Sequence, residues 1–263
     1  MSRLYAAAAC LAERIKINSI TRETRDGRSV WIKRRRATAR LILACANRFF
    51  RLADNSVQAV AEHSAWQRWE IETFVQMHGD HYRAFAVGGQ AVAADEVPGV
   101  SLAHHLDRGT LIPAMTAAAA RELRRCHSMN CRAFGGSDWS HGDPHAGNFL
   151  YDESQDRARL IDFEVMHDAA LSPEARHADD LLVFLQDVVG RVSAEAWLPL
   201  ALGFLEAYDR PEIVARLAPR LILPRGIPRL WWAVRTTYLP GAELAHRLEL
   251  LREALASRVT ARL

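Results

Sequence analysis

The chain has 263 residues, 49% apolar and 25% charged, with 34 Lys and Arg against 31 Asp and Glu for a net charge of +3. These are ordinary globular values, enough for one bilobal unit or two small domains, and no apolar run reaches the ~18 residues of a bilayer-spanning helix. Cysteines at 10, 45, 126 and 131 form no CxxC pair and no His/Cys metal spacing, which excludes a zinc ribbon and fits reduced thiols in the cytoplasm.

In chain order, the apolar stretch from Tyr5 to Ala12 is followed at once by Glu13 and Arg14 and reads as a capping helix in preference to a signal peptide. Val30-Trp31-Ile32-Lys33 reads as a strand. Only Lys16 and Lys33 are lysine in a chain that otherwise uses arginine for positive charge, so Lys33 marks a place where a compact ammonium is wanted. The stretch from Ala59 to Met77 reads as a long helix, with Trp66, Glu70, Phe74 and Met77 on one face. Glu70 therefore lies in an apolar stripe, where a carboxylate needs a partner, and Lys33 would supply it; Glu62 and Glu72 are the competing acids.

Tyr82 to Val87 and Gln90 to Ala94 read as two strands around Gly88-Gly89. Asp95-Glu96-Val97-Pro98-Gly99 then reads as an interdomain turn, after which the chain turns mostly helical, beginning with Pro113 to Met129. His141-Gly142-Asp143-Pro144-His145-Ala146-Gly147-Asn148 follows, with Asp162-Phe163-Glu164 fourteen residues further on. Between them, Phe149 to Tyr151 and Ala158 to Ile161 read as a hairpin around a polar turn. Ser172-Pro173-Glu174 has the pattern of a helix start, and Asp179-Asp180-Leu181-Leu182 that of a second apolar helix through Val189. Further helices complete the tail. In them, Ile227 to Leu239 reads as core packing or as an aromatic and basic face toward lipid.

An Asp and an Asn five apart on one loop, with a third acid at the end of an apolar strand, are the parts that phosphoryl transfer needs. One carboxylate receives or orients the acceptor hydroxyl, while an amide oxygen and a second carboxylate hold the magnesium that neutralises the phosphates.

The two strings together resemble the catalytic core of the protein-kinase-like superfamily, in the form His-x-Asp-x-x-x-x-Asn plus Asp-Phe. The His-Gly-Asp and Asp-Phe-Glu variants are similar to those of aminoglycoside/choline phosphotransferases and of bacterial lipopolysaccharide core kinases. Trp139-Ser140 and Phe149-Leu150-Tyr151 around the loop lean toward the latter. The Asp-Pro-His-x-Gly-Asn string is also similar to the ubiquinone-biosynthesis kinase-like family, whose Lys-x-Gly-Gln signature is absent here. The resemblance implies an α+β, bilobal fold, with a small strand-rich lobe over residues 1–98 and a larger helical lobe over 99–263.

It also implies ATP and Mg²⁺ as cofactors, and a sugar, lipopolysaccharide-type glycan or other small hydroxyl compound as acceptor. Lys33, held by Glu70, would grip the α- and β-phosphates, and the main chain around Glu96 and Val97 would meet the adenine edge. Asp143 would accept or orient the hydroxyl proton, His141 would fix the loop, and Asn148 and Asp162 would hold Mg²⁺. An Asp at the head of the later helix would brace the loop: Asp180 by its place before the Leu pair, with Asp179 open.

Departures from the protein-kinase pattern refine this. Gly142 stands where many protein kinases have an Arg that reads a phosphorylated activation loop, and Glu164 replaces the Gly of Asp-Phe-Gly. The interval from Asp162 to Asp180 is short for a peptide-docking segment, which disfavours a protein Ser/Thr kinase. No Gly-rich loop precedes Lys33, so the N–H groups of an irregular hairpin, or in their place Arg22, Arg25 or Arg28, would have to cover the phosphates, and a non-catalytic kinase-like module remains the alternative. Residues 1–51 hold 13 Lys and Arg against 3 Asp and Glu. That balance suits ATP phosphates, an anionic acceptor or an anionic membrane surface, and equally a solvated basic face. Aromatics are not interleaved with it, so no nucleic-acid partner is expected. The expected location is cytoplasmic, with peripheral attachment to the inner membrane as a variant.

Overall fold

The computed structural model describes residues 17–53, 55–236 and 239–260. The region read as a capping helix and Tyr238 of the aromatic segment lie outside them.

Strands β1 (Asn18–Arg25) and β2 (Arg28–Arg35) form a hairpin in full register, Asn18 opposite Arg35 and Arg25 opposite Arg28. Its two-residue turn, Asp26-Gly27, has both residues at positive φ (50° and 74°), the geometry that matches the twist of paired strands. Val30 and Ile32 of β2 point inward and are buried, whereas Trp31 lies on the opposite face with 42% exposure.

Helix α1 (Ala39–Leu52) follows, an element the sequence reading did not place despite its run of good helix formers. Its Asn47 side chain clasps the backbone of strand β3 (Val57–Ala59), donating to Ala59 O and accepting from Ala59 N–H, both at 2.8 Å. Because β3 claims those residues, helix α2 starts later than expected and spans His63–His78. Glu62, weighed above as a partner for Lys33, is instead its N-cap and accepts from Ser64 and Ala65 N–H. The inward face carries Trp66, Glu70, Phe74 and Met77, as the periodicity indicated.

Strands β4 (Ala84–Ala86) and β5 (Ala91–Asp95) complete an antiparallel sheet in the order β1-β2-β5-β4. The chain then crosses at Gly99 into β6 (Val100–Ser101) and α3 (Leu102–Asp107). Gly99 has φ +125°, and a Cβ there would sit 2.7 Å from the Tyr151 carbonyl, so only glycine lets this crossing lie against the neighbouring strand.

Helix α4 (Pro113–His127) packs through Ala118, Ala119, Ala120 and Leu123, and the small bridge β7 (Asn130–Cys131) with β8 (Ser137–Asp138) leads to the motif loop. Strands β9 (Phe149–Asp152) and β10 (Arg157–Leu160) form the expected hairpin and, with β6, a second small sheet. Strand β11 (Val165–His167), just past Asp162-Phe163-Glu164, pairs with β3.

Helix α5 (Pro173–Arg191) starts at the Ser172 cap and runs unbroken, so the second helix start read at Asp179 lies inside it. Helices α6 (Trp197–Tyr208), α7 (Pro211–Leu217), α8 (Ile227–Thr236) and α9 (Gly241–Thr260) surround it. The fold is thus α+β and bilobal: a small sheet with its helices, then a larger helical body whose apolar core is continuous from α2 through α9. Among the described residues no helix is long and apolar enough to cross a membrane.

Candidate active site

Lys33, directly after the apolar Val30-Trp31-Ile32 of β2, extends its ammonium into a group of three carboxylates. Nζ lies 2.9 Å from Glu70 Oε1, 2.6 Å from Asp162 Oδ1 and 2.8 Å from Glu164 Oε1. Helix α2 supplies the first acid, and the turn after β10 supplies the other two. Asp162 sits at φ +67°, a strained conformation for a residue with a side chain and one that recurs at functional sites. Its carboxylate is the most open of the three, at 38% exposure, so the cluster has a mouth to solvent on that side.

The electrostatics follow from one cation shared by three acids. Burial opposes the charge on Lys33, but Asp162, Glu164 and Glu70 together hold its pKa well above the ordinary value. Burial pushes Glu70 up to about 7, against the pull of Lys33, and it raises Glu164 in the same way. Asp162 keeps a depressed pKa because Lys33 outweighs its burial. With all three ionised the cluster carries more negative than positive charge, and Glu70 Oε2 is buried with no hydrogen-bond donor among the described residues. One ligand atom from each acid falls within 4.8 Å of the others, a spacing and donor type that suit a hard divalent cation.

The motif loop is built around His141 and Asp180. His141 donates from Nε2 to Ile161 O (3.1 Å) and accepts at Nδ1 from Asp143 N–H (3.1 Å), which assigns one neutral tautomer. Burial keeps its pKa low, so it is a fixed structural post and not a base. Asp180, fully buried, accepts from His141 N–H (2.7 Å), Gly142 N–H (2.8 Å) and His127 Nε2–H (2.9 Å). The Tyr208 hydroxyl donates to His127 Nδ1 at 2.7 Å, and His177 stacks on His127 at 3.9 Å between ring centroids. Asp179 has a different duty: it accepts from Arg220 and from His167. Between the two acids left open by the sequence, the loop brace is Asp180.

Asn148 donates from Nδ2 to Asp143 O (2.9 Å), so its amide oxygen is the atom with which it could hold a cation. Asn148 O accepts from Ile161 N–H (2.8 Å), tying the loop to the residue that precedes Asp162. Asp187 of α5 accepts from Ala146 N–H (2.7 Å), a second anchor that carried no sequence signal. Gly142 has φ +85°, and a Cβ there would approach Val165 Cγ1 to 3.2 Å, so the position needs glycine for its backbone alone. Gly142→Ala is expected to cost about 1–2 kcal/mol, read as a lower midpoint in urea unfolding. An unchanged midpoint would show that the loop tolerates a right-handed residue there.

The structure therefore brings Lys33, Glu70 and Asp162 into contact and holds Asp143, His141 and Asn148 on one loop bonded to Ile161, the residue before Asp162. The hinge is more constrained than expected. Glu96 N–H donates to Ser29 O (2.9 Å), so it is not offered to a base edge, and the main-chain groups remaining there are Glu96 C=O and Val97 N–H. The Glu96 carboxyl is held below the usual range chiefly by Arg22, with Ser29 and Trp31 also donating.

The arginines expected to replace a Gly-rich loop are engaged elsewhere: Arg22 with Glu96, Arg25 with Glu23, Arg28 with Asp95. Two site features escaped the sequence reading. Glu164 was read as the loss of a hinge glycine, yet it grips Lys33 and accepts from Asn18. Trp31 shares the Lys33 face of β2, two residues away, and offers an exposed ring beside the hinge.

No family model matches the chain, and no curated protein matches its sequence. Among solved structures, an ethanolamine kinase of Plasmodium vivax aligns with 91% of this chain and 79% of its own, at 10% identity and a TM-score of 0.49. A Mycobacterium tuberculosis protein in complex with erythromycin aligns with 92% of this chain and 74% of its own, at 17% identity and a TM-score of 0.38. At these scores neither likeness carries an argument. The order of the elements, and the convergence of Lys33, Glu70 and Asp162 near a loop braced by Asp180, agree with the α+β, two-lobed fold that the sequence resemblance implied.

Proposed function

We propose that the chain is an ATP-dependent phosphotransferase that moves the γ-phosphoryl group to a hydroxyl of a sugar, a lipopolysaccharide-type glycan or another small acceptor. The observation that carries this is the Lys33–Glu70–Asp162 contact, made by residues 37 and 129 positions apart from the lysine. In this reading the nucleotide lies between a lobe of residues 1–98 and one of residues 99–263. Lys33, positioned by Glu70, binds the α- and β-phosphates, and the backbone around Glu96 and Val97 faces the base. Asn148 and Asp162 would hold Mg²⁺, which when bound neutralises phosphate charge.

Asp143 takes or orients the proton of the acceptor hydroxyl. The acceptor oxygen bonds to the γ-phosphorus as the bond to the β–γ bridging oxygen breaks, and ADP leaves with that electron pair. His141 positions the loop and takes no proton. A cytoplasmic site of action, with contact to an anionic membrane surface through the basic first lobe, belongs to the same proposal.

A non-catalytic nucleotide-binding module is the second reading. It is favoured by Glu164, which occupies Lys33, and by the plain two-residue hairpin where a Gly-rich loop would stand. Calorimetry with Mg²⁺-ATP tests the first step common to both. Binding that requires Mg²⁺ and weakens at least about 30-fold (~2 kcal/mol) in Asp162→Asn is expected, since a charged ligand to the cation is lost. Binding unaffected by Mg²⁺ and by Asp162→Asn would remove Asp162 from the nucleotide site.

A further inference from the structure

Helix α1 carries an apolar sector wider than the surface that covers it. Ala39 and Leu43 are buried, and Ile42, Phe49 and Phe50 are half-buried. Leu41 and Leu52, however, stand 72% and 61% exposed, with Cys45 exposed between them. At about 100° per residue these three fall within about 40° of one another around the helix axis, beside Ile42 and Phe49. A single exposed leucine is ordinary, whereas a row along one helix edge is a surface.

The rest of the exposed face is basic. Arg40, Arg48 and Arg51 share it, Arg34 and Arg36 stand exposed just before the helix, and residues 34–52 hold no Asp or Glu. None of these five arginines has an ion-pair partner among the described residues. The patch continues past the helix. Its C-cap Ala53 and Ile222 line one cavity, and α1 packs on α8. Ile222, Arg225 and Ile227, in the connection to α8 and at its start, are exposed.

Leucines along one edge and arginines along the other are the composition of a helix that lies in the plane of a membrane interface, with its leucines among the acyl chains and its guanidinium groups at the lipid phosphates. A folded protein partner would need an apolar groove and several carboxylates in matching places, whereas an anionic bilayer presents both as a continuous surface. We propose that α1 is an in-plane docking helix for an anionic lipid surface, seated through Leu41, Cys45 and Leu52 and held by Arg40, Arg48 and Arg51. Asn47 of the same helix clasps β3, and β3 pairs with β11 directly after Glu164, so docking fixes the candidate site relative to the bilayer. This deepens the membrane contact of the phosphotransferase reading and rests on that reading only for what docking achieves, the delivery of a membrane-borne hydroxyl. Lipid binding itself is testable without turnover.

The test is flotation of the full chain with mixed phosphatidylglycerol–phosphatidylcholine vesicles and with phosphatidylcholine vesicles alone. Beside it, an environment-sensitive fluorophore is placed on Cys45 in a Cys10→Ser chain, where Cys126 and Cys131 are buried. Flotation with the anionic vesicles only is expected, with a blue shift of the probe on binding. Leu41→Ser with Leu52→Ser should weaken partitioning about tenfold or more through lost apolar burial, and Arg48→Gln with Arg51→Gln about tenfold through lost charge. All four positions are exposed, so the variants should melt with the parent. Flotation indifferent to either pair, or equal with phosphatidylcholine alone, overturns the proposal. So does anionic binding without a blue shift, which would leave α1 outside the apolar layer, or a probe already blue-shifted in solution, which would mean that another part of the chain covers the face. Retention on heparin without flotation would overturn it in favour of a soluble polyanion. Intact flotation in a chain that binds no Mg²⁺-ATP would instead reject the phosphotransferase reading and leave the docking helix standing.

Discussion

Asp180→Asn is expected to lower stability by about 3 kcal/mol, a fall of roughly 6–10 °C in melting temperature for a chain of this size. The carboxylate accepts two backbone N–H groups and one imidazole N–H at 0% exposure. An asparagine offers one oxygen in place of two and turns an NH₂ toward a donor, so a buried N–H or the His127 N–H goes without a partner. The loss falls on His141 and Gly142, the residues that set the direction of Asp143, and so activity is expected to fall with stability. Differential scanning calorimetry reads the first effect; a variant melting within a degree of the parent would mean that the loop is held by other contacts.

The same group gives a pH signature. Burial works against the Asp180 charge, but His167, His127 and His141 around it hold its carboxyl below the ordinary range. A carboxyl depressed on folding contributes stability that is present above its unfolded pKa of about 3.9 and lost as pH falls below that value. His78, His127, His141 and His177 are depressed by burial as well, and they stay neutral in the folded chain. Below their unfolded pKa of about 6.5 the unfolded chain takes up protons that the folded chain does not, so stability falls there first. Glu70 and Glu164, raised on folding, act the other way above about pH 4.5, but they are two against four histidines, so the parent should weaken in two stages, from about pH 6.5 and again below about pH 4. Asp180→Asn should keep the first stage and lack its share of the second.

How much of this was written in local sequence can be seen residue by residue. The Lys33–Glu70 pairing was legible because a carboxylate in an apolar helical stripe needs a cation, and the chain retains one lysine near it. The hairpin after the motif loop and the Ser172 cap were legible because alternation and capping are local signals. The double acid at Asp179 and Asp180 looked like a helix start. Its residues are in fact buried inside α5, because His127 lies 53 positions before Asp180 and His167 lies 12 before Asp179. Glu164 was misjudged for the same reason: its partner Asn18 is 146 positions away.

The largest effect on turnover is expected from Asp143→Asn, and the loop's construction predicts how it should divide between binding, folding and rate. The main chain at this position is bonded three ways: Asp143 N–H donates to His141, and Asp143 O accepts from Asn148 Nδ2 and from His145 N–H. Asparagine keeps these three contacts and nearly the same volume, so the loss of the carboxylate's own contacts should lower the melting temperature by only a few degrees. Neither Lys33 nor Asp162 depends on the side chain, so the Kd of Mg²⁺-ATP should be unchanged. What the amide cannot do is accept the hydroxyl proton, a contribution of ~10²–10⁴ in rate for a positioned general base. A loss of about 10³ in kcat, roughly 4 kcal/mol of barrier, is therefore expected with ATP binding intact. ADP release in the presence of a turned-over acceptor measures it. A variant with full kcat would move the proton to another group and take Asp143 out of the reaction, whereas a loss of ATP affinity equal to the loss of rate would make Asp143 a nucleotide-site residue.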